Sequence, residues 1–322
     1  MNILVTGGAG FIGSHLCRRL VQAGHEVIVL DDLSTGRAQN LEELEDGKRL
    51  RLIVDTVNNE RITDECVRQA DRVFHLASAV GVRLIIDQPV RTIESIVGGT
   101  QTVLKSCARH RRPFLLTSTS EVYGKGAKVP FCEEDDTVMG PTSKRRWSYA
   151  TAKALDEFLA LAYWVEARLP VTIARLFNTV GPGQTGQYGM VVPSFVRQAL
   201  RGVPITVYGD GQQSRCFTHV EDVTGALVKL MECPAARGQV VNIGNSREIT
   251  IMDLARRVKE LTGSASPIEV IPYEKAYGEG FDDMRRRVPS LDRAEQLIDY
   301  HPTKTLDDIL RDVIAHEQKQ LS

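Results

Sequence analysis

Apolar and polar positions in the first half of the chain alternate between two textures. Short runs dense in Ile, Leu and Val lie at 2–6, 26–30, 51–54, 72–76, 114–117 and 171–176. Some are apolar at nearly every position, which predicts strands covered on both faces. Between them, amphipathic stretches predict helices at about 11–23, 61–70, 90–110 and 148–168. Strands that alternate with helices imply βαβ crossovers, so the fold class is α/β, a doubly wound parallel sheet with helices on both faces.

From about residue 178 the texture changes. Gly and Pro cluster at 181–193 and again at 202–211. Loops of this kind carry ligand contacts. Further helices are predicted at 194–201, 220–232, 250–262 and 304–318. No repeat, low-complexity tract or obvious linker interrupts the chain, so a smaller C-terminal lobe is expected to pack directly on the first.

Composition narrows the function classes. At ~150 residues per domain, 322 residues make about two domains, or one large unit with an appended lobe. The 40 Lys+Arg and 41 Asp+Glu leave a net charge of -1, which argues against nucleic acid as a partner. No apolar stretch approaches the ~18 residues of a membrane helix, and no basic segment precedes a longer apolar one. Six scattered cysteines without a Cys-x-x-Cys pair read as reduced thiols in a cytoplasmic protein. The seven histidines show no metal-ligand spacing, so no metal site is expected.

Residues 7–13 read Gly-Gly-Ala-Gly-Phe-Ile-Gly, with glycines at 7, 8, 10 and 13. They follow a predicted strand and open a predicted helix, the context that turns a weak pattern into a dinucleotide cradle. Glycine permits close backbone approach to a pyrophosphate, and the helix N-terminus supplies N–H donors. A glycine turn also arises where helix and strand merely pack closely. Asp31 ends the second strand. A carboxylate there suits the adenosine ribose hydroxyls and would repel a 2′-phosphate, which favours NAD over NADP.

Tyr149 and Lys153 stand four apart at the start of a predicted helix, hence on one face. A nearby ammonium lowers a phenol's pKa, so the pair can accept a proton from an alcohol being oxidised. Alone, the spacing is common by chance. Thr119, Ser120 and Glu121 follow the fifth strand, where open α/β sheets bind ligands.

The segments VTGGAGFIGSHL, VFHLAS, TSTSEVYG, SYATAK, RLFNTVGPG, VYGDGQQSRCFTHVEDV and VNIGN run almost end to end. In their order and number the chain resembles the extended short-chain dehydrogenases/reductases that act on nucleotide sugars. The resemblance implies a Rossmann-like fold with a smaller substrate-binding lobe. It divides the chain into a cofactor domain at 1–177, with 216–243 returning to it, and a mainly substrate-binding part at 178–322. It assigns catalysis to Thr119, Tyr149 and Lys153. The cofactor contacts it implies are Gly7, Gly10, Phe11, Ile12, Gly13, Asp31, Asp32, Ser34 and Gly36 at the ribose and pyrophosphate. Asp55 and Thr56 follow at the adenine, and Leu76, Ala77 and Ser78, with Tyr149 and Lys153, at the nicotinamide side. For the substrate it implies Asn178, Val191, Val192, Tyr208, Arg215 and Arg287; Tyr208 reads equally well as core. Ile96 stands where many members carry Asn. The family usually dimerises through two helices per subunit, here about 90–110 and 148–168, which make a four-helix bundle.

Three segments point to a branch. Ser120-Glu121 resembles UDP-glucuronate decarboxylases rather than 4,6-dehydratases or simple 4-epimerases. Arg146-Trp147-Ser148-Tyr149 resembles the decarboxylase of the bacterial aminoarabinose pathway and plant UDP-apiose/UDP-xylose synthase, although Trp147 also fits plain core packing. The same relatives carry segments like Tyr277–Asp283 and the Arg before Val288-Pro289, which makes Arg287 catalytic by resemblance. The implied reaction oxidises carbon 4 of UDP-glucuronate and decarboxylates the 4-keto acid, giving UDP-xylose, UDP-4-ketopentose or both. Ser120, Glu121 and Arg287 would position the carboxylate, with Glu121 either protonated or acting through water. The alternatives are a UDP-glucuronate or UDP-glucose/galactose 4-epimerase, a UDP-apiose/xylose synthase, and a non-catalytic NAD-binding protein.

Overall fold

The computed structural model describes residues 1–44, 49–78, 88–126, 128–185, 190–273, 275 and 284–321. In chain order its strands are β1 Asn2–Thr6, β2 Glu26–Asp31, β3 Leu50–Val54, β4 Arg72–His75, β5 Phe114–Thr119, β6 Val171–Leu176, β7 Thr179–Val180, β8 Ile205–Tyr208, β9 Ser214–Cys216, β10 Thr218–His219, β11 Gln239–Ile243, β12 Glu248–Thr250 and β13 Ile268–Ile271. Its α-helices are α1 Phe11–Gln22, α2 Glu60–Gln69, α3 Pro89–His110, α4 Ser148–Ala167, α5 Val191–Leu200, α6 Val220–Glu232, α7 Ile251–Thr262, α8 Asp292–Ile298 and α9 Leu306–Leu321.

Seven parallel strands form the main sheet in the order β11-β6-β5-β4-β1-β2-β3. Side chains one residue apart point to opposite faces, so each strand feeds two cores. Ile3 and Val5 join Leu16 and Leu20 of α1 and Val223 and Leu227 of α6 on one face. Leu4 joins Val67 of α2, Val103 and Leu104 of α3 and Ala160 of α4 on the other. Burial on both faces is why these strands read as apolar runs. A third core, among α5, α7 and α9, holds the C-terminal lobe together.

The six expected strands and the four helices between them are present, with ends shifted by a few residues at most. The seventh strand, β11, was not predicted as one. It returns beside β6, with Val241 and Ile243 in the core. The order reverses between β1 and β4, and β1 leads directly into the glycine turn. A crevice forms at such a switch point, beyond the carboxyl ends of the strands.

Candidate active site

A cleft of about 960 Å³ runs from the glycine turn, past the ends of β4 and β5, to the start of α5 and the end of β8. Its first wall is backbone. Gly7 has φ +71°, and a Cβ there would lie 2.6 Å from Ala77 N. A Cβ at Gly13 would lie 2.1 Å from Gly7 O. Only glycine fits either position. Gly10 caps α1 without a side-chain hydrogen bond, so the helix N-terminus opens toward the cleft. A pyrophosphate fits this cradle.

Asp31 does structural work here. Its Oδ2 accepts from Ala9 N–H and its Oδ1 from Leu33 N–H, both at 2.9 Å. It thereby clamps the glycine turn to the end of β2 while still lining the cleft with Asp32 and Ser34. Gly36 packs against the Ala9 backbone behind the turn. Asp55 is not among the cleft-lining residues, and its carboxylate accepts from Thr56 N–H and the Asn59 amide at the start of α2. Thr56, beside it, does line the cleft, as do Phe11, Ile12, Leu76, Ala77 and Ser78. Ile96 is buried in α3.

The reactive groups converge from three parts of the chain, 119–121, 146–153 and Arg287. Thr119 ends β5, and its hydroxyl accepts from Glu121 N–H at 3.2 Å. Tyr149 lies in the first turn of α4. Lys153 follows one turn later and is buried, with Nζ donating to Asp156 Oδ2 at 3.1 Å. The expected lowering of the phenol is not met. Burial first, and then the Glu121 carboxylate, push Tyr149 above its ordinary value, against opposing contributions from the Thr119 and Ser78 hydroxyls. Lys153 gives one of its three ammonium hydrogens to a buried carboxylate.

Glu121 carries the strongest electrostatic signature. Arg287 Nη2 lies 2.7 Å from its Oε1 and Arg146 Nη1 2.5 Å from its Oε2, all three side chains being nearly buried. Burial disfavours the carboxylate, but Arg287 and then Arg146 outweigh it and hold the group down to about 2. With no substrate carboxylate beside it, Glu121 is therefore held ionised. Each carboxylate oxygen of Glu121 thus has a guanidinium group against it at the edge of the cleft. Arg287 lines the cleft with its guanidinium against Glu121.

Arg146 was not anticipated as a site residue. Its signal was the Arg-Trp step three residues before Tyr149. Trp147 is core, 3% exposed, and sits so close to Gly140 that a Cβ there would meet Nε1 at 2.1 Å. That packing aims Arg146 into the cleft. Tyr277–Asp283, the other segment of the same resemblance, lies outside the described residues.

At the far end, Asn178 lines the cleft while its amide donates to Cys216 O at 3.1 Å. Val191 and Val192 open α5, and Arg215 stands in β9, its Nη1 donating to Ser214 O at 2.7 Å. Tyr208 is 37% exposed at the end of β8, a cleft residue rather than core. Gln198, Thr206 and Tyr273 share this wall and were not anticipated.

The chain is 40% identical over 312 residues to a UDP-N-acetyl-alpha-D-glucosaminuronate decarboxylase of Bacillus cytotoxicus, covering 97% of this chain and 96% of that protein. It is 36% identical to UDP-glucuronic acid decarboxylase 1 of Xenopus tropicalis over 99% of this chain and 72% of that one. Among solved structures it superposes on a UDP-glucuronic acid 4-epimerase from Bacillus cereus, described in complex with UDP-glucuronic acid and NAD. There the TM-score is 0.89, with 28% identity over 100% of both chains. The model of the NAD dependent epimerase/dehydratase family matches residues 3–244, and with these relatives it establishes that the chain belongs to that family.

Proposed function

We propose that the protein is an NAD-dependent decarboxylase of a UDP-linked uronic acid, with UDP-glucuronate as its substrate. The observation that carries this reading is Glu121 held between Arg146 and Arg287 in the same cleft as Tyr149 and Thr119. The names of the relatives support it: decarboxylases of UDP-uronates match nearly the full chain at 35–40% identity. NAD supplies the hydride acceptor and, when oxidised, a cationic ring. Gly7, Gly10, Gly13, Asp31, Asp32, Ser34, Thr56 and Leu76–Ser78 would hold it.

Tyr149 takes the proton of the carbon 4 hydroxyl as the hydride leaves, with Thr119 bonded to the same oxygen. The ketone formed is β to the carboxylate. Carbon dioxide then departs, and the electrons of the broken bond delocalise into the ketone as an enolate. Tyr149 and Thr119 stabilise that oxyanion. Arg146 and Arg287 orient the carboxylate by the bidentate geometry of guanidinium. With Ser120 and Glu121 they govern protonation at carbon 5. Asn178, Val191, Val192, Tyr208 and Arg215 receive the uridine diphosphate. The division of labour follows, with the cofactor on 1–177 and 216–243 and the nucleotide sugar mainly on 178–322. Leu155, Phe158 and Val165 of α4 and Val90 and Ile93 of α3 are exposed apolar side chains, which supports a homodimer through a four-helix bundle.

The decisive experiment incubates the pure protein with NAD and UDP-glucuronate and identifies products by mass and proton NMR. Loss of the mass of carbon dioxide is expected. Unchanged mass with inverted carbon 4 would make the protein an epimerase. The 40% identity to the Bacillus cytotoxicus enzyme favours a second substrate, UDP-N-acetylglucosaminuronate, to be run in parallel.

A further inference from the structure

Behind the cleft, a buried run of side chains joins Lys153 to the strand ends that carry the glycine turn. Ala77 N–H donates to Thr6 Oγ1 at 3.3 Å. Thr6 Oγ1 lies 2.7 Å from His75 Nδ1, and His75 Nε2 lies 3.1 Å from Thr100 Oγ1. Thr100 donates to Asp156 Oδ2 at 2.8 Å, and Lys153 Nζ donates to the same oxygen at 3.1 Å. No member from Thr6 to Lys153 is more than 2% exposed. The members come from β1, β4, α3 and α4.

Counting hydrogens fixes the direction of the run. Thr100 has one hydroxyl hydrogen, and it goes to the carboxylate. His75 Nε2 must then donate to Thr100, which leaves Nδ1 as the acceptor for the Thr6 hydroxyl. Thr6 accepts from Ala77 in turn. Every donor points toward Asp156, an order that stabilises its ionised form. The imidazole takes part as a neutral ring, since burial holds it down to about 3. Burial pushes the Asp156 carboxyl upward, and Lys153 and Thr100 act against that rise.

A lysine side chain has four rotatable bonds, and a buried ammonium without a counter-charge is costly. The place of Lys153 Nζ is therefore set by its partner. We propose that Asp156 is the positioning residue of the site, fixing Lys153 Nζ beneath the cleft, and that Thr6, His75 and Thr100 hold Asp156 in place as a carboxylate. The chain thereby ties the position of Lys153 to Thr6, the residue that precedes the glycine turn. This rests on the reading of Lys153 as a residue that acts on cofactor and substrate.

The test uses the NAD-loaded full-length enzyme at saturating NAD, following carbon dioxide release from UDP-glucuronate and NADH absorbance in a single turnover. Asp156→Asn is expected to lower kcat by about 10- to 100-fold, the cost of a small misplacement, with KM for UDP-glucuronate changed less than about twofold. Thr100→Val removes the donor and is expected to slow the hydride step several-fold, whereas Thr100→Ser restores it. A folded Asp156→Asn enzyme with wild-type kcat overturns the proposal. If Asp156→Asn does not fold, equal rates for Thr100→Val and Thr100→Ser overturn it. Lys153→Met with undiminished turnover would instead defeat the reading of Lys153, and the proposal with it. Wild-type enzyme inert on UDP-glucuronate and on UDP-N-acetylglucosaminuronate would defeat the proposed function.

Discussion

Arg287 reaches Glu121 across the cleft with Nη2 2.7 Å from Oε1, and neither side chain is more than 12% exposed. The pair joins the end of β5 to the segment that precedes Pro289, so the charge balance of the site depends on both. Arg287→Met leaves Glu121 with Arg146 alone. The carboxyl then rises from about 2 toward its ordinary 4.5. Decarboxylation is expected to fall by roughly 100-fold or more, as for the loss of one preorganised charge in a reacting site. Arg287→Lys keeps the charge but loses the fork, and should recover only part of the rate. Steady-state kinetics on the three proteins, with NAD occupancy as the control, check this.

Glu121→Gln should separate binding from chemistry. The variant leaves two guanidinium groups facing a neutral amide, so a substrate carboxylate meets less competition. The KM or Kd for UDP-glucuronate is expected to drop while kcat falls, and the affinity for UDP-xylose, which lacks the carboxylate, should not improve. Calorimetric titration with both ligands reads the difference.

The same ion pairs make a signed prediction for stability. The folded-state value of Glu121 is lowered, so its contribution is fully present above about 4.5 and is lost as pH falls through about 2. Breaking a nearly buried pair costs on the order of 3 kcal/mol at neutral pH. Glu121→Gln should therefore melt earlier at pH 7 but converge with the wild-type protein in acid. Thermal unfolding at pH 7, 4 and 2 checks the convergence.

Only glycine fits position 13, where a Cβ would stand 2.1 Å from the carbonyl of Gly7. Gly13→Ala must push the turn away from α1 and spoil the pyrophosphate cradle. The purified variant is expected to carry far less NAD while Arg287 and Glu121 stay paired. The ratio of 260 to 280 nm absorbance and the far-UV circular dichroism together separate cofactor loss from unfolding.

Much of this was legible before any coordinates, for identifiable reasons. Strands covered on both faces announce themselves as unbroken apolar runs, as Ile3-Leu4-Val5 does. The glycine turn is a local rule, fixed by backbone clearance at Gly7 and Gly13. What the sequence hid was pairing across distance. Nothing near β11 predicts that Val241 will lie beside Ala174. Arg145 and Arg146 are adjacent in sequence, and nothing local says that Arg146 is the one that enters the cleft beside buried Trp147. Asp156 sits in a helix whose sequence shows only an acidic residue three places after Lys153. Its meaning comes from Thr100 and His75, brought to it by α3 and β4.

Helix α4 presents Leu155, Phe158 and Val165 at 50–70% exposure while Ala152 and Ala160 on its other side are buried. The helix has two apolar faces, and the sheet and α3 cover only one of them. Val90 and Ile93, in the first two turns of α3, are also exposed. A helix apolar around most of its circumference needs a second cover, and the homodimer proposed above would supply one without further components. Phe158, 70% exposed, is the side chain most costly to leave in water. Phe158→Asp places a charge at the middle of that contact. It is expected to convert a dimer into a monomer in sedimentation velocity, with the main-sheet fold retained by circular dichroism. A wild-type protein that sediments as a monomer at all concentrations would remove α4 as the interface.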